Sequence, residues 1–159
     1  MIYLIDIEPD TDGSLLATCK AFPELTTFGA DEAQVWKNAL GSLEEAIAAR
    51  IDDGDPLPAA ATEAQIKRHK GVWVKLPLMT SLKCMLYSVL MESRMNRAEL
   101  ARRLDWHRES VDRLFRLDHA SRVDQIEAAF KALQQDVDVR VTRKRGAAMA
   151  DPSSNAAPR

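Results

Sequence analysis

Four carboxylates stand at alternate positions near the start of the chain: Asp6, Glu8, Asp10 and Asp12 in IDIEPDTDG. On an extended strand, residues two apart share a side. Clustered carboxylates are what a two-metal nuclease uses to hold the divalent ions that clamp a phosphoryl group. That chemistry needs more than this stretch offers. Asp10 and Asp12 fall in the turn signal PDTDG, and Glu44 and Glu45, further along the chain, have no distinctive partners. The spacing reads as a solvated strand edge and turn, so neither a catalytic centre nor a metal site is expected. His69, His107 and His119 are isolated from one another, and Ser110 and Ser121 lack the setting of a nucleophile. Cys19 and Cys84 fit no metal or redox spacing and read as buried thiols of a reducing cytoplasm.

A second set of side chains points to binding. Residues 96–114 read NRAELARRLDWHRESVDRL, five arginines set among apolar residues at helical spacing. Two short helices crossing steeply need a small residue where their backbones meet, and Ala101 supplies it. They need apolar residues to fill the angle between them: Leu100, Leu104, Trp106, Val111 and Leu114. They also need a turn of three or four residues, here 105–107. This is the pattern of a helix-turn-helix. The turn has Asp105 where glycine is usual, and aspartate is among the few other residues that tolerate a left-handed backbone. His107 takes the N-cap position of the second helix, where serine or threonine would cap better.

In that arrangement Arg108, Glu109, Asp112 and Arg113 are the side chains offered to base edges. Arginine can read guanine bidentately, and a carboxylate can accept from the cytosine amino group. Arg97 is placed near a phosphate, with Arg102, Arg103 and Arg116 adding charge along the backbone. Double-stranded DNA is the partner expected, and a two-fold symmetric site calls for a homodimer or a higher homo-oligomer.

The elements that position these residues follow from periodicity. MIYLIDIE alternates as a half-buried strand, with Tyr3, Ile5 and Ile7 on one face and Leu4, Asp6 and Glu8 on the other. After a turn at Gly13, SLLATCKAF reads as a second strand stopped by Pro23, and TTFG as a short third ending at Gly29. Asp31 is the expected N-cap of a long helix with Trp36, Leu40, Leu43, Ile47 and Ile51 on its apolar stripe. Gly54 is its C-cap, and Pro56 and Pro58 follow. Residues 59–71 show no buried pattern, and VWVKLP alternates as a fourth strand at 72–76. From Ser81 the period turns helical, with Leu82, Met85, Leu86, Val89 and Leu90 in one stripe. Helices are expected near 97–104, 108–117 and 123–135. VDVRV at 137–141 has period two, as in a strand pairing with 72–76 or with another chain.

The fold class is therefore α+β, a three- to four-stranded antiparallel sheet with one long helix, followed by an all-α segment. The expected division is 1–58, a linker over 59–80 containing the strand at 72–76, a helical DNA-binding and dimerisation domain over 81–141, and a basic then disordered tail over 142–159. Charge divides in the same way. Residues 1–58 hold three basic and twelve acidic residues, net −9, whereas residues 82–145 hold fourteen basic and ten acidic, net +4. The first part suits a basic partner and the second a nucleic acid. No apolar run reaches the roughly 18 residues of a membrane span. The N-terminus lacks a basic n-region, so a cytoplasmic protein with no membrane partner is expected.

Taken together, the opening strand with EPDTDG, AFPEL with TFG, the helix ending EEAIAARIDDGDPLP and the block LARRLDWHRESVDRLFRLDHASRVDQIEAAFKAL resemble the HicB antitoxins that carry a C-terminal helix-turn-helix. The likeness covers residues 1 to about 141. It implies a partial RNase H-like N-terminal domain that binds a HicA toxin, a small basic RNA-cleaving protein, and a C-terminal domain that dimerises and represses its own operon. On this reading the toxin-facing residues are Asp6, Glu8, Asp10, Asp12, Phe22 and Glu24, no cofactor is used, and the protein is not an enzyme. The other reading is a free-standing transcriptional regulator with a ligand-sensing N-terminal domain.

Overall fold

The structure, a computed structural model, describes residues 1–69, 72–139 and 141. The chain opens with strands β1 (Ile2–Pro9), β2 (Leu15–Cys19) and β3 (Phe22–Gly29), then helix α1 (Glu32–Asp53), helix α2 (Glu63–Arg68) and strand β4 (Val72–Lys75). Helices α3 (Leu78–Glu92), α4 (Arg97–Leu104), α5 (Arg108–Phe115) and α6 (Val123–Ala132) follow. The strands form one antiparallel sheet in the order β3-β2-β1-β4, so the α+β class holds and the fourth strand is part of the sheet.

The β1–β2 hairpin closes as its residues require. Gly13 has φ +87°, its N–H donates to the Asp10 carbonyl, and the Asp12 carboxylate accepts from the Ser14 N–H at 2.9 Å. Strand β3 departs from expectation: it begins at Phe22 and runs through Pro23, read from the sequence as a stop. Proline cannot donate to a neighbouring strand, but β3 lies at the sheet edge, where no donor is needed on its outer side.

Asp31 accepts from the Gln34 N–H at 2.8 Å, and Gly54, at φ +79°, caps the C-terminus of α1 as expected. The buried stripe of α1 is Val35, Ala39, Leu43, Ile47 and Ile51, with Trp36 and Leu40 only half-buried. The rotation has a cause in close approach. A Cβ on Gly29 would lie 2.2 Å from the Val35 nitrogen, so β3 ends directly against the first turn of α1.

The segment read as a linker holds α2, which buries no residue and so leaves no apolar stripe, and β4, which pairs with Ile2–Ile5. Helix α3 starts at Leu78, after Pro77 and ahead of Ser81. It is surrounded on several sides: Thr80, Ser81, Leu82, Lys83, Cys84, Leu86, Tyr87 and Leu90 are buried, whereas Met85, assigned to the buried stripe from the sequence, is exposed. Helices α5 and α6 end at Phe115 and Ala132, short of the expected 117 and 135. Residues 137–139 and 141 belong to no strand, and the expected tail over 142–159 lies outside the described residues.

Among the described residues, one buried cluster runs from Tyr3 to Leu133. The α3 helix joins its two ends. The Met1 amino group donates to Ser81 Oγ at 3.0 Å, Thr80 Oγ1 to Glu44 Oε1 at 3.0 Å, and the Tyr87 hydroxyl to the Asp55 carbonyl at 2.9 Å.

Candidate functional site

The short helices α4 and α5 are held by caps. Asn96 Oδ1 accepts from the Glu99 N–H at 2.9 Å and Glu99 Oε2 accepts from the Asn96 N–H at 2.8 Å, a reciprocal box at the start of α4. At the end of α4, Asp105 takes φ 53°, ψ 42°, the left-handed region. Its N–H donates to the Arg102 carbonyl at 3.3 Å, and the Trp106 N–H to the Ala101 carbonyl at 3.0 Å. This pair of bonds is the Schellman arrangement that usually recruits glycine. His107 starts α5 without a side-chain cap bond. Leu100, Ala101, Val111 and Leu114 are buried, and Leu104 and Trp106 pack partly buried against them.

The α5–α6 loop is fixed from within. Lys83 on α3 is fully buried, and its ammonium donates to the carbonyls of Arg116 and His119, the latter at 2.6 Å. Desolvation lowers the pKa of that ammonium. Arg103 ties α4 to the end of α6 through the Ala132 carbonyl, 3.1 Å away.

The arginines singled out from the sequence fall into two groups. Arg102, Arg108 and Arg113 extend from the surface of the helix pair beside exposed Glu109. Arg108 Nε lies 3.4 Å from the half-exposed carboxylate of Asp112, and Arg113 Nε donates to the Glu109 carbonyl at 3.2 Å. Arg116 is exposed and pairs with Asp118 at 2.8 Å, which draws the Asp118 carboxyl below its usual range. Arg97 is engaged inside the molecule. Its Nη2 donates to the Ile51 carbonyl at 3.1 Å, its Nη1 lies 3.6 Å from Asp112, and its guanidinium sits 4.9 Å from the centre of the Phe115 ring. That leaves its side chain 25% exposed, a tie between α1 and α5 more than a free surface charge.

The six acidic-side residues do not converge on one surface. Asp6 and Glu8 lie on the sheet face turned away from Tyr3, Ile5 and α1, and Asp6 is 3.5 Å from Lys20 and 4.0 Å from His69. Asp10 and Asp12 bind main-chain N–H groups of the hairpin loop. Glu24 sits with α1, paired with Arg50 at 2.8 Å, which lowers the carboxyl pKa. Phe22 is completely buried, edge-on to Tyr3 and covered by the Arg50 guanidinium, so it supports that corner of the fold and offers no contact surface. Among the described residues, no group of three or more His, Cys, Asp or Glu side chains gathers as a metal ion would need.

The register reveals residues that sequence reading missed. Leu4 pairs with Trp73, Glu8 with Leu16, and Leu16 with Phe28, which places these apolar side chains beside Asp6 and Glu8 on the open face. Phe28 is 49% exposed there. Strand alternation carries the signal, but only after the hairpin registers are known. Next to this face, Tyr3, Asp6, Lys20, Gln65 and His69 line a cavity of about 290 Å³.

A sheet with one covered and one open face is joined to a capped helix pair studded with arginines, an α+β arrangement. A family model described as "HicB_like antitoxin of bacterial toxin-antitoxin system" matches residues 2–85. Antitoxin HicB of Pseudomonas fluorescens (strain Pf0-1) is 30% identical over 131 residues, covering 82% of this chain and 87% of its own. Antitoxin HicB of Escherichia coli (strain K12) is 26% identical over 137 residues, covering 86% and 96%. The chain belongs to the HicB-like antitoxin family, and its function is that of a non-enzymatic antitoxin. Among the described residues, no helix is long and apolar enough to cross a membrane.

Proposed function

We propose that the sheet-and-α1 layer binds and neutralises a small basic HicA-type toxin that cleaves mRNA, and that α4 and α5 act as a helix-turn-helix on operator DNA, repressing the operon as a homodimer in the cytoplasm. The observation that carries the DNA-binding half is the Schellman turn at Asp105. It sets two eight-residue helices at a tight junction and leaves Arg108, Glu109 and Arg113 outward on the second. Asp112 braces Arg108, and Arg102 and Arg116 supply backbone charge. The toxin-binding half is supported by the −9 charge of residues 1–58 and by the open face carrying Asp6 and Glu8, with Asp10 and Asp12 on the adjoining hairpin. Neutralisation then works by covering the toxin's catalytic or RNA-binding surface.

A gel-shift titration on the DNA upstream of the chain's own operon tests the DNA-binding half. Arg108→Ala and Arg113→Ala are expected each to weaken binding by about 1–3 kcal/mol, as loss of a base contact does. Lys67→Ala, on the distant α2, is expected to have no effect. Equal effects from all three would overturn the assignment. The cavity beside His69 favours a second reading, in which a small molecule tunes operator binding. A metabolite that shifts the gel-shift midpoint, with no small basic protein co-purifying, would establish that reading instead.

A further inference from the structure

Strand β1 pairs with β2 over Asp6–Pro9 and with β4 over Ile2–Ile5. Ile2–Ile5 thus have no partner in β2, which ends at Cys19 and turns into β3 through Lys20 and Ala21. Residues 58–69 span the gap. The Ala61 N–H donates to the Ile2 carbonyl at 2.8 Å, the Tyr3 hydroxyl to the Pro58 carbonyl at 2.9 Å, and His69 Nε2 to the Ile5 carbonyl at 3.0 Å. Between these ties runs α2, which buries no residue and is held by its own capping box at Thr62. The cavity of about 290 Å³ lies between this span and β1.

We infer that the cavity is a binding site for a free α-amino acid with an apolar side chain, its ammonium seated between Asp6 and His69. This deepens the small-molecule reading above by naming the ligand class, and it rests on that reading only for an effect on DNA. The argument starts at His69, whose side chain is 13% exposed. The Ile5 carbonyl can only accept, so Nε2 of the neutral ring carries the proton and Nδ1 is left an acceptor. Nδ1 faces Asp6 Oδ1 at 4.0 Å. Two acceptors opposed at that distance are both satisfied by one ammonium placed between them.

The other polar groups of the lining are donors. Gln65 Oε1 is taken by the N–H and hydroxyl of Thr62, at 2.8 and 2.9 Å, which leaves the Gln65 amide N–H groups to donate. Lys20 lies 3.5 Å from Asp6 with its side chain 93% exposed, so its ammonium is loosely held and can turn to a carboxylate. One seat for an ammonium and two donors for a carboxylate are the complement of a zwitterion. Leu4, Ala21, Ala59 and Ala61 supply an apolar wall of mostly short side chains, with room for a third group. Ligand pockets run from roughly 300 to 1,000 Å³, and this one stands at the small end, as an amino acid requires and a nucleotide does not.

Thermal melting and calorimetric titration of this chain with each of the common L-amino acids test the inference, with n-butylamine and butyrate as probes that carry one charged end each. An amino acid with an apolar side chain is expected to bind and to raise Tm, and each single-ended probe to bind on the order of tenfold more weakly. Asp6→Asn is expected to weaken amino-acid binding on the order of tenfold. Ala61→Met, which fills the cavity and removes no polar group, is expected to abolish it on a fold that still melts cooperatively. Amide exchange in α2 is expected to slow in the bound state, because the helix then has something to pack against. No binding by any amino acid, or binding indifferent to both Asp6→Asn and Ala61→Met, would overturn the site, and equal affinity for n-butylamine would overturn the ligand class. Binding that leaves the gel-shift midpoint on operator DNA unmoved would support the site and overturn only the operator-tuning reading.

Discussion

Arg97, the first residue of α4, donates from Nη2 to the main-chain carbonyl of Ile51, 3.1 Å away in the last turn of α1. That carbonyl is one of the four at a helix C-terminus with no partner inside the helix, and positive charge is favoured there. The same guanidinium packs on Phe115 and reaches Asp112, both on α5. One side chain thus joins the helix that covers the sheet to the helix proposed to read DNA.

Replacing Arg97 by alanine is expected to lower global stability by about 2 kcal/mol, from a charge-assisted hydrogen bond and a cation–π contact. For a chain of this size that is a fall of roughly 4–8 °C in Tm. Scanning calorimetry of wild type and variant checks it. A change of less than a degree would mean that the contact does not hold the two layers together.

Asp105 occupies a left-handed backbone at no more than the cost aspartate can bear. Asp105→Gly is expected to be neutral or stabilising by up to about 1 kcal/mol, and Asp105→Val to cost about 1–2 kcal/mol, because a β-branched residue is strained at positive φ. Urea denaturation of the two variants should give opposite signs. The same sign in both would show that the turn does not depend on this conformation.

Gly29→Ala is expected to damage the N-terminal layer. The added methyl would meet main-chain and Cβ atoms of Val35 at 2.2 to 2.7 Å, which no side-chain rotation relieves. A loss of about 3 kcal/mol is expected, at the upper end for overpacking, and is measured by thermal melting.

Burial lifts the Cys84 thiol to about 11. The unfolded chain releases this proton near pH 8.5, so the stability it contributes is full below that pH and falls as pH rises toward 11. Between pH 8.5 and 10 wild type is expected to lose about 2 kcal/mol that Cys84→Ala does not lose. Lys83, whose burial lowers its ammonium, acts in the opposite direction in both proteins, so the difference in slope isolates the thiol. Parallel pH profiles from denaturant titrations would contradict the buried thiol.

Much of the fold could be read from local chemistry. Caps and turns are signals of single residues, and Asp31, Gly54, Gly13 and Asp105 all behave as their types dictate. Periodicity located every helix except α2 to within a few residues, and α2, which buries no residue, left no pattern to find. It failed where burial depends on what lies across the chain. Val35 and Ala39 displace Trp36 and Leu40 from the buried stripe because Gly29 lets β3 approach α1 at that point, a contact that no helical pattern contains. The candidate sites follow the same division. Arg108 and Arg113 are exposed on α5, whereas Phe22 is buried under Arg50, and Arg97 is drawn inward by Ile51 from the far end of α1.

The central claim is that this chain silences a toxin by covering it. The most direct measurement is RNA cleavage by the proposed partner, a small basic HicA-type toxin, followed with increasing amounts of this chain. Cleavage is expected to stop at a fixed stoichiometry, with the two proteins co-eluting. The inhibition should weaken when Asp6 and Glu8 are both changed to lysine, on a fold that still melts cooperatively. Cleavage that continues undiminished in excess of the wild-type chain would contradict the account.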